Sequence, residues 1–211
     1  MRTTMAPKAI LDDIGIKTAT FTAATTDIIT ATAHALKDRD LLVLTTTGTL
    51  PAGLALATVY VVQQATTNTF ELINKSTGAS VDVTDTGTGT HTWTMHDVGW
   101  SINVNGYKDK EVSLDTDGGG DAAMVLKFQG SYADTEPDFS AAASDTNQWE
   151  YLQTKDLNSG TSVGGDTGYT LGGSDDHRIF NIENNAIKWI NCIISTWTAG
   201  EVTVKVKCAT D

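Results

Sequence analysis

Between His34 and Trp93, short β-patterned segments rich in Thr, Val and Leu alternate with Gly- and Thr-rich turns, and this punctuation limits what the chain can fold into. Branching at Cβ restricts χ1 and favours pleated strands over helices. With 19 Gly and only 3 Pro, turning is left mainly to Gly, Asn and Asp, which tolerate positive φ. Strand signals fall at 19–22, 27–32, 41–47, 58–64, 69–73, 80–83 and 90–95. A helical turn near 31–36 is the alternative for one stretch. Several short strands at this interval predict a small barrel or sandwich.

The second half reads in the same way, with strand signals at 100–104, 111–114, 124–129, 148–153, 178–183, 187–196 and 201–208. The last is the clearest: Val202, Val204, Val206 and Cys208 alternate with Thr203, Lys205 and Lys207. Trp197-Thr198-Ala199-Gly200 before it predicts a hairpin with 187–196. Thr numbers 24 in residues 1–100 and 11 in 101–211, and four of five Trp lie beyond residue 99. That shift places a boundary near His96–Gly99. The predicted organisation is an arm at 1–17, a small β-barrel module at 18–97 and an antiparallel, jelly-roll-like β-sandwich at 98–211. The arm carries Arg2, Lys8, Ile10, Leu11, Ile14 and Ile16 without a clean period, outside both strand sets. It packs either on its own domain or on a neighbour. The stretches 131–147 and 157–176, rich in Gly, Ser and Asp, read as surface loops, the usual place for partner contacts.

Specific residues in the first half carry a resemblance. They are Thr46-Thr47-Gly48-Thr49-Leu50-Pro51-Ala52-Gly53-Leu54, Thr58-Val59-Tyr60-Val61-Val62, Asn68-Thr69-Phe70-Glu71-Leu72 and Gly87-Thr88-Gly89-Thr90-His91. This segment resembles the small β-barrel module, related to the first catalytic-cysteine half-domain of ubiquitin-activating enzymes, that recurs in bacteriophage virion proteins. Where that module usually has Gly-Asp, this chain has Lys37-Asp38-Arg39-Asp40. The second half, through Ile187-Lys188-Trp189-Ile190 and Gly200-Glu201-Val202-Thr203-Val204, is similar to the terminal β-sandwich domains of phage structural proteins. The resemblance implies a virion part and no enzyme, and makes His91 a structural feature of the last barrel strand.

The formal net charge is −12, from 14 Lys and Arg against 26 Asp and Glu. Phosphate recognition needs clustered basic residues, so nucleic acid is not an expected partner. Acidity keeps a protein made in many copies soluble before assembly. No stretch approaches a membrane span, and the N-terminus lacks a signal-peptide core. Cys192 and Cys208 make no secreted-type disulfide framework, which fits folding in a reducing host cytoplasm. Free buried thiols are expected.

Candidates for chemistry are few. Asp115, Asp117 and Asp121 around Gly118-Gly119-Gly120 are the best metal candidate, because calcium wants several oxygens in a tight loop. They lack the closing Glu of an EF-hand, so a solvated turn is preferred. Asp175-Asp176-His177 is a weaker cluster. His91 and His96, five apart on a strand, face opposite sides and do not chelate. Glu150, Glu183, Asp134 and Asp138 supply the carboxylates a glycosidase would need, and Trp149, Tyr151, Trp189 and Trp197 the rings that stack on sugars. Core packing is preferred for Trp189, and exposure for Trp197. No catalytic residue and no cofactor is assigned.

The expected function is a capsid decoration protein on the virion exterior. It would bind the major capsid protein or other virion proteins as a homo-oligomer, a trimer favoured, with contacts through 131–147 or 157–176. The alternative is a tail- or head-fibre module that binds host surface glycans. A depolymerase has the least support.

Overall fold

The computed structural model describes residues 3–116, 121–173, 176–183 and 186–210. They are all-β, without a helix, and form two compact units: residues 16–96, and residues 1–15 together with 97–211. The first strand, β1 (Lys8–Ile14), belongs to the discontinuous unit.

In the 16–96 unit, β2 (Thr18–Ala23), β3 (Ile29–Thr30), β4 (Leu41–Thr46), β5 (Tyr60–Gln63), β6 (Thr69–Asn74) and β7 (His91–Met95) close a barrel. Its cyclic order is β2-β3-β6-β5-β4-β7. Every β7 residue shows why the sequence does this. His91, Trp93 and Met95 point inward and are buried, while Thr92 and Thr94 face out. Outside, Thr92 sits between Thr20 and Thr45, and Thr94 between Thr18 and Val43. Such rows of β-branched cross-strand neighbours account for the Thr content of this half. The inner face is filled by Phe21, Leu42, Tyr60, Val62, Phe70 and Trp93.

The turn at residues 46–54 is clamped onto the one at 85–90. Thr49 and Thr88 exchange both backbone hydrogen bonds, at 3.1 and 2.8 Å. The Asp85 carboxylate accepts from the Ala52 and Gly87 amides, at 2.8 and 2.9 Å, and these bonds hold its acidity below the usual carboxylate range. The imidazole of His91 ties the same turns to the barrel. Because Thr86 offers only a carbonyl, Nε2 donates to it at 3.1 Å, and Nδ1 accepts from the Thr46 hydroxyl at 2.9 Å.

The other unit contains two sheets. Its remaining strands are β8 (Ile102–Asn103), β9 (Asp109–Thr116), β10 (Ala123–Ser131), β11 (Trp149–Tyr151) and β12 (Thr154–Asp156). They continue with β13 (Ser162–Val163), β14 (Tyr169–Gly172), β15 (His177–Asn181), β16 (Trp189–Ala199) and β17 (Val202–Ala209). One sheet runs β1-β17-β9-β15-β12-β13; the other runs β11-β10-β16-β8, with β14 also on β10. They share a core in which Phe128 of β10 meets Phe180 of β15 at 5.2 Å between ring centroids. Val112, Leu114, Leu126, Val204 and Val206 are buried there with it.

Four expectations are corrected. Residues 8–14, expected to lie outside the strand sets, form edge strand β1 on β17, with Ile10, Leu11 and Ile14 buried. Register shifts between Ala9 and Leu11 and between Leu11 and Ile14 break the period of two, so bulges hid this strand from pattern reading. The expected hairpin of 187–196 with 201–208 does not exist. β16 pairs with β10 and β8, β17 pairs with β9 and β1, and Gly200 (φ +77°) carries the chain from one sheet to the other. The stretch 157–176 is not a plain loop, since its described residues include β13 and β14. Finally, 31–36 forms no helical turn. Ala33 and Ala35 sit at positive φ, and the amides of Ala33 and Leu36 are taken by the Asn68 and His34 side chains.

Candidate functional site

Of the predicted metal ligands, Asp117 lies outside the described residues. Asp115, on β9, contacts His177 Nδ1 on β15 at 2.8 Å. No group of three His, Cys, Asp or Glu side chains arranged for a metal occurs among the described residues, which include Asp115 and Asp121. Asp175 also lies outside the described set, while its neighbours separate. His177 turns to Asp115, and Asp176 joins a partly buried cluster. His34 is packed edge-on against Phe70 with centroids 5.0 Å apart, and burial depresses its basicity. Cys192 and Cys208 are free and buried in opposite sheets; burial pushes the Cys208 thiol up to about 11. Such thiols are poor nucleophiles.

The cluster around Asp176 was not legible in the sequence. Tyr169 on β14 donates to Asp176 Oδ2, and Arg178 Nε on β15 donates to Oδ1 at 2.6 Å. Arg178 Nη1 lies 3.5 Å from Asp156 Oδ2 on β12. The same carboxylate accepts from the Ser159 hydroxyl and the Asn158 amide, each at 2.8 Å. Burial, assisted by the hydrogen bond to Asp176, pushes the Tyr169 phenol up to about 12. The cluster thereby ties three strands of two sheets together.

For Asp156, burial raises the carboxyl, but the bonds from Ser159 and Asn158 and the charge of Arg178 outweigh it, leaving a net lowering. A carboxylate held below its unfolded value of about 3.9 contributes stability that is complete above that pH and lost as pH falls through the folded value. Asp156→Asn is therefore expected to lower the thermal midpoint at neutral pH, and the gap to the wild type should narrow below about pH 4. Thermal melts of both proteins across that range test this, and a gap independent of pH would refute it.

The carboxylates considered for sugar chemistry fall at two adjoining grooves beside β11. The first, of about 520 Å3, is bordered by Tyr132, Asp134, Asp145, Trp149 and Glu150. The second, of about 570 Å3, is bordered by Tyr132, Glu150, Gln153, Thr154, Asn181 and Glu183. Tyr132 and Glu150 are common to both, and the Tyr132 side chain is among the most exposed large apolar groups of the described residues, at 54%. Asp138 is not part of either wall; it accepts from the Ser140 hydroxyl and amide, at 2.5 and 3.0 Å, within its own turn.

The groove floor is built from below. Phe139 and Trp149 pack at 5.8 Å, and Val98, Ala143, Tyr151, Trp189 and Ile193 complete this small core. Gln129 donates to the Phe139 carbonyl at 3.0 Å, Ser131 to Gln148 at 2.5 Å, and Trp189 Nε1 to Ala133 at 3.1 Å. Lys188 holds Asp134 at 2.5 Å and keeps its carboxyl acidic. The 132–148 connection is thus a folded cap over apolar side chains. Trp189 is half-buried under it, whereas Trp197, at 38% exposed, donates to the Gly200 carbonyl at 3.0 Å. The sequence points to Glu150, Glu183, Asp134, Trp149 and Tyr151 but not to Tyr132; a lone Tyr directly after a strand carries no signal.

Fold and groove together define an all-β protein of one closed barrel and one two-sheet unit, with a polar, aromatic-lined surface depression on the latter. Comparison with family models, with curated proteins and with solved structures finds no match.

Proposed function

We propose that this protein is a non-enzymatic structural component of a bacteriophage virion, a decoration protein that binds the assembled head and stabilises it. The observation that carries the reading is the closed barrel to which the residues that resemble the virion module contribute most of β5 and β6 and the clamped turns, with the turn at 46–54 built as a fixed element. Its net charge of −12 suits a protein that must stay dispersed at high copy number before assembly. On a symmetric shell, modest contacts repeated across the lattice give firm attachment.

Strand edges are poor attachment surfaces here. β8, β11 and β13 are two or three residues long, and β1 is bulged, all of which discourage added strands. Binding to capsid proteins and to other copies, with a trimer favoured, therefore uses side-chain surfaces such as the 132–148 cap. A second reading, a fibre module that binds host surface glycans, is favoured by the grooves around Tyr132.

Copy number separates the two. Densitometry of purified virions is expected to give this protein in numbers comparable with the coat protein; a few copies per particle would move it to a fibre, and its absence from virions would overturn both. Solution scattering at several concentrations reads the oligomer, and a monomer throughout would rule out the trimer.

A further inference from the structure

We infer that the adjoining grooves around Tyr132 form a binding site for a neutral oligosaccharide. This deepens the glycan reading of the same surface, yet it holds wherever on the virion the protein is placed.

Volume comes first. Depressions of about 520 and 570 Å3 each lie in the range of small-ligand sites, and they meet at Tyr132 and Glu150. A ligand occupying both is elongated, which suits a chain of rings and not a compact metabolite. Chemistry narrows it further. An aromatic ring 54% exposed at the junction offers an apolar face with a polar tip. Sugar rings present C–H faces that lie against such a surface while their edges carry hydroxyls. Around it stand groups that accept or donate to hydroxyls: Asp145, Glu150, Gln153, Asn181 and Glu183.

A second observation is independent of the acidic residues. Trp149 Nε1, in the wall of the first groove, and Thr154 Oγ1, in the wall of the second, are buried polar atoms without a hydrogen-bond partner. Both residues are 3% exposed. Buried polar atoms usually have a partner; these two lie in the groove walls with almost no exposed area, so a ligand hydroxyl or a water it carries satisfies them only where the wall shifts to admit it.

Charge sets the class of saccharide. Asp134 is neutralised by Lys188, but Asp145, Glu150 and Glu183 leave the grooves acidic, with Lys155 at the far wall. Sialylated, sulfated or phosphorylated glycans meet like charge there. Neutral hexose and N-acetylhexosamine chains do not.

The test titrates the full-length protein with maltohexaose, cellohexaose and chitohexaose, with colominic acid as the anionic control, read by calorimetry and by saturation-transfer NMR. Binding of at least one neutral chain is expected, weakened tenfold or more in Tyr132→Ala and in Glu150→Gln, with negligible binding of colominic acid. Thermal melts of both variants should match the wild type, since Tyr132 lies largely outside the core. Tyr132→Phe, which keeps the ring, should retain binding and so separates stacking from loss of fold. Failure of all three neutral chains to bind, binding unchanged in both variants, or preference for colominic acid would each overturn the inference. None of these results bears on copy number in the virion, so the two proposals fail separately.

Discussion

Deletion of residues 1–15 is expected to unfold the discontinuous unit while leaving the 16–96 barrel folded. The strand β1 contributes Ile10, Leu11 and Ile14 to the sandwich core; Met5 is buried as well, and its backbone N–H donates to the Cys208 carbonyl at 2.9 Å. Burial of each such side chain stabilises by about 1.5–3 kcal/mol, so the four together represent about 6–12 kcal/mol. A whole domain has a net stability of about 5–15 kcal/mol. Loss of the strand also bares the β17 edge, whose backbone pairs with Lys8, Ala9, Leu11 and Ile14. Calorimetry or denaturant titration of the truncated chain should show one transition removed and one retained. A truncated protein with both transitions at wild-type positions would show that β1 is a dispensable strap.

The second large effect is at the turn that carries the resemblance. Gly53 has φ +97°, where side chains are strained, and a Cβ there would stand 2.0 Å from the Asp82 carbonyl oxygen. Backbone strain of this kind costs about 1–3 kcal/mol. The carbonyl contact adds displacement of the adjoining segment, so Gly53→Ala should destabilise the barrel by about 3 kcal/mol or more. Gly78 provides the control. It too has positive φ (+70°), but nothing lies within 4 Å of its Cβ position. Gly78→Ala should cost only about 1 kcal/mol, the conformational part alone. Chemical denaturation of the two variants measures the difference. Equal losses would mean that the close approach of the 46–54 turn to Asp82 carries no energy of its own.

Much of the inward and outward patterning was present in the residues themselves. His91, Trp93 and Met95 alternate with Thr92 and Thr94, and Val202, Val204, Val206 and Cys208 with Thr203, Lys205 and Lys207; in both strands the apolar or aromatic set is buried. Strand period is a local property, because successive side chains leave opposite faces whatever the strand pairs with. Turn positions were equally local, since Gly53 and Gly87 answer to φ at single residues.

What the residues could not decide was the neighbour of each strand. The 187–208 segment reads the same whether the chain doubles back in one sheet or steps across the core to another, because both solutions bury the same faces. Only the competing partners, β10 and β8 for β16 and β9 and β1 for β17, place the two strands in opposite sheets. The bulges of β1 are another such case: a register set by β17 moves Leu11 and Ile14 inward against the simple alternation. The candidate site lies at the same limit. Asp156, Tyr169 and Arg178 come from three strands and Asp176 from the connection before β15, and Tyr132, Glu150 and Glu183 from separate connections and a strand. Each is ordinary in its own stretch of sequence. Short strands fix side-chain direction through local geometry, whereas convergence of distant polar groups depends on sheet order, and sheet order is settled by the packing of the whole unit.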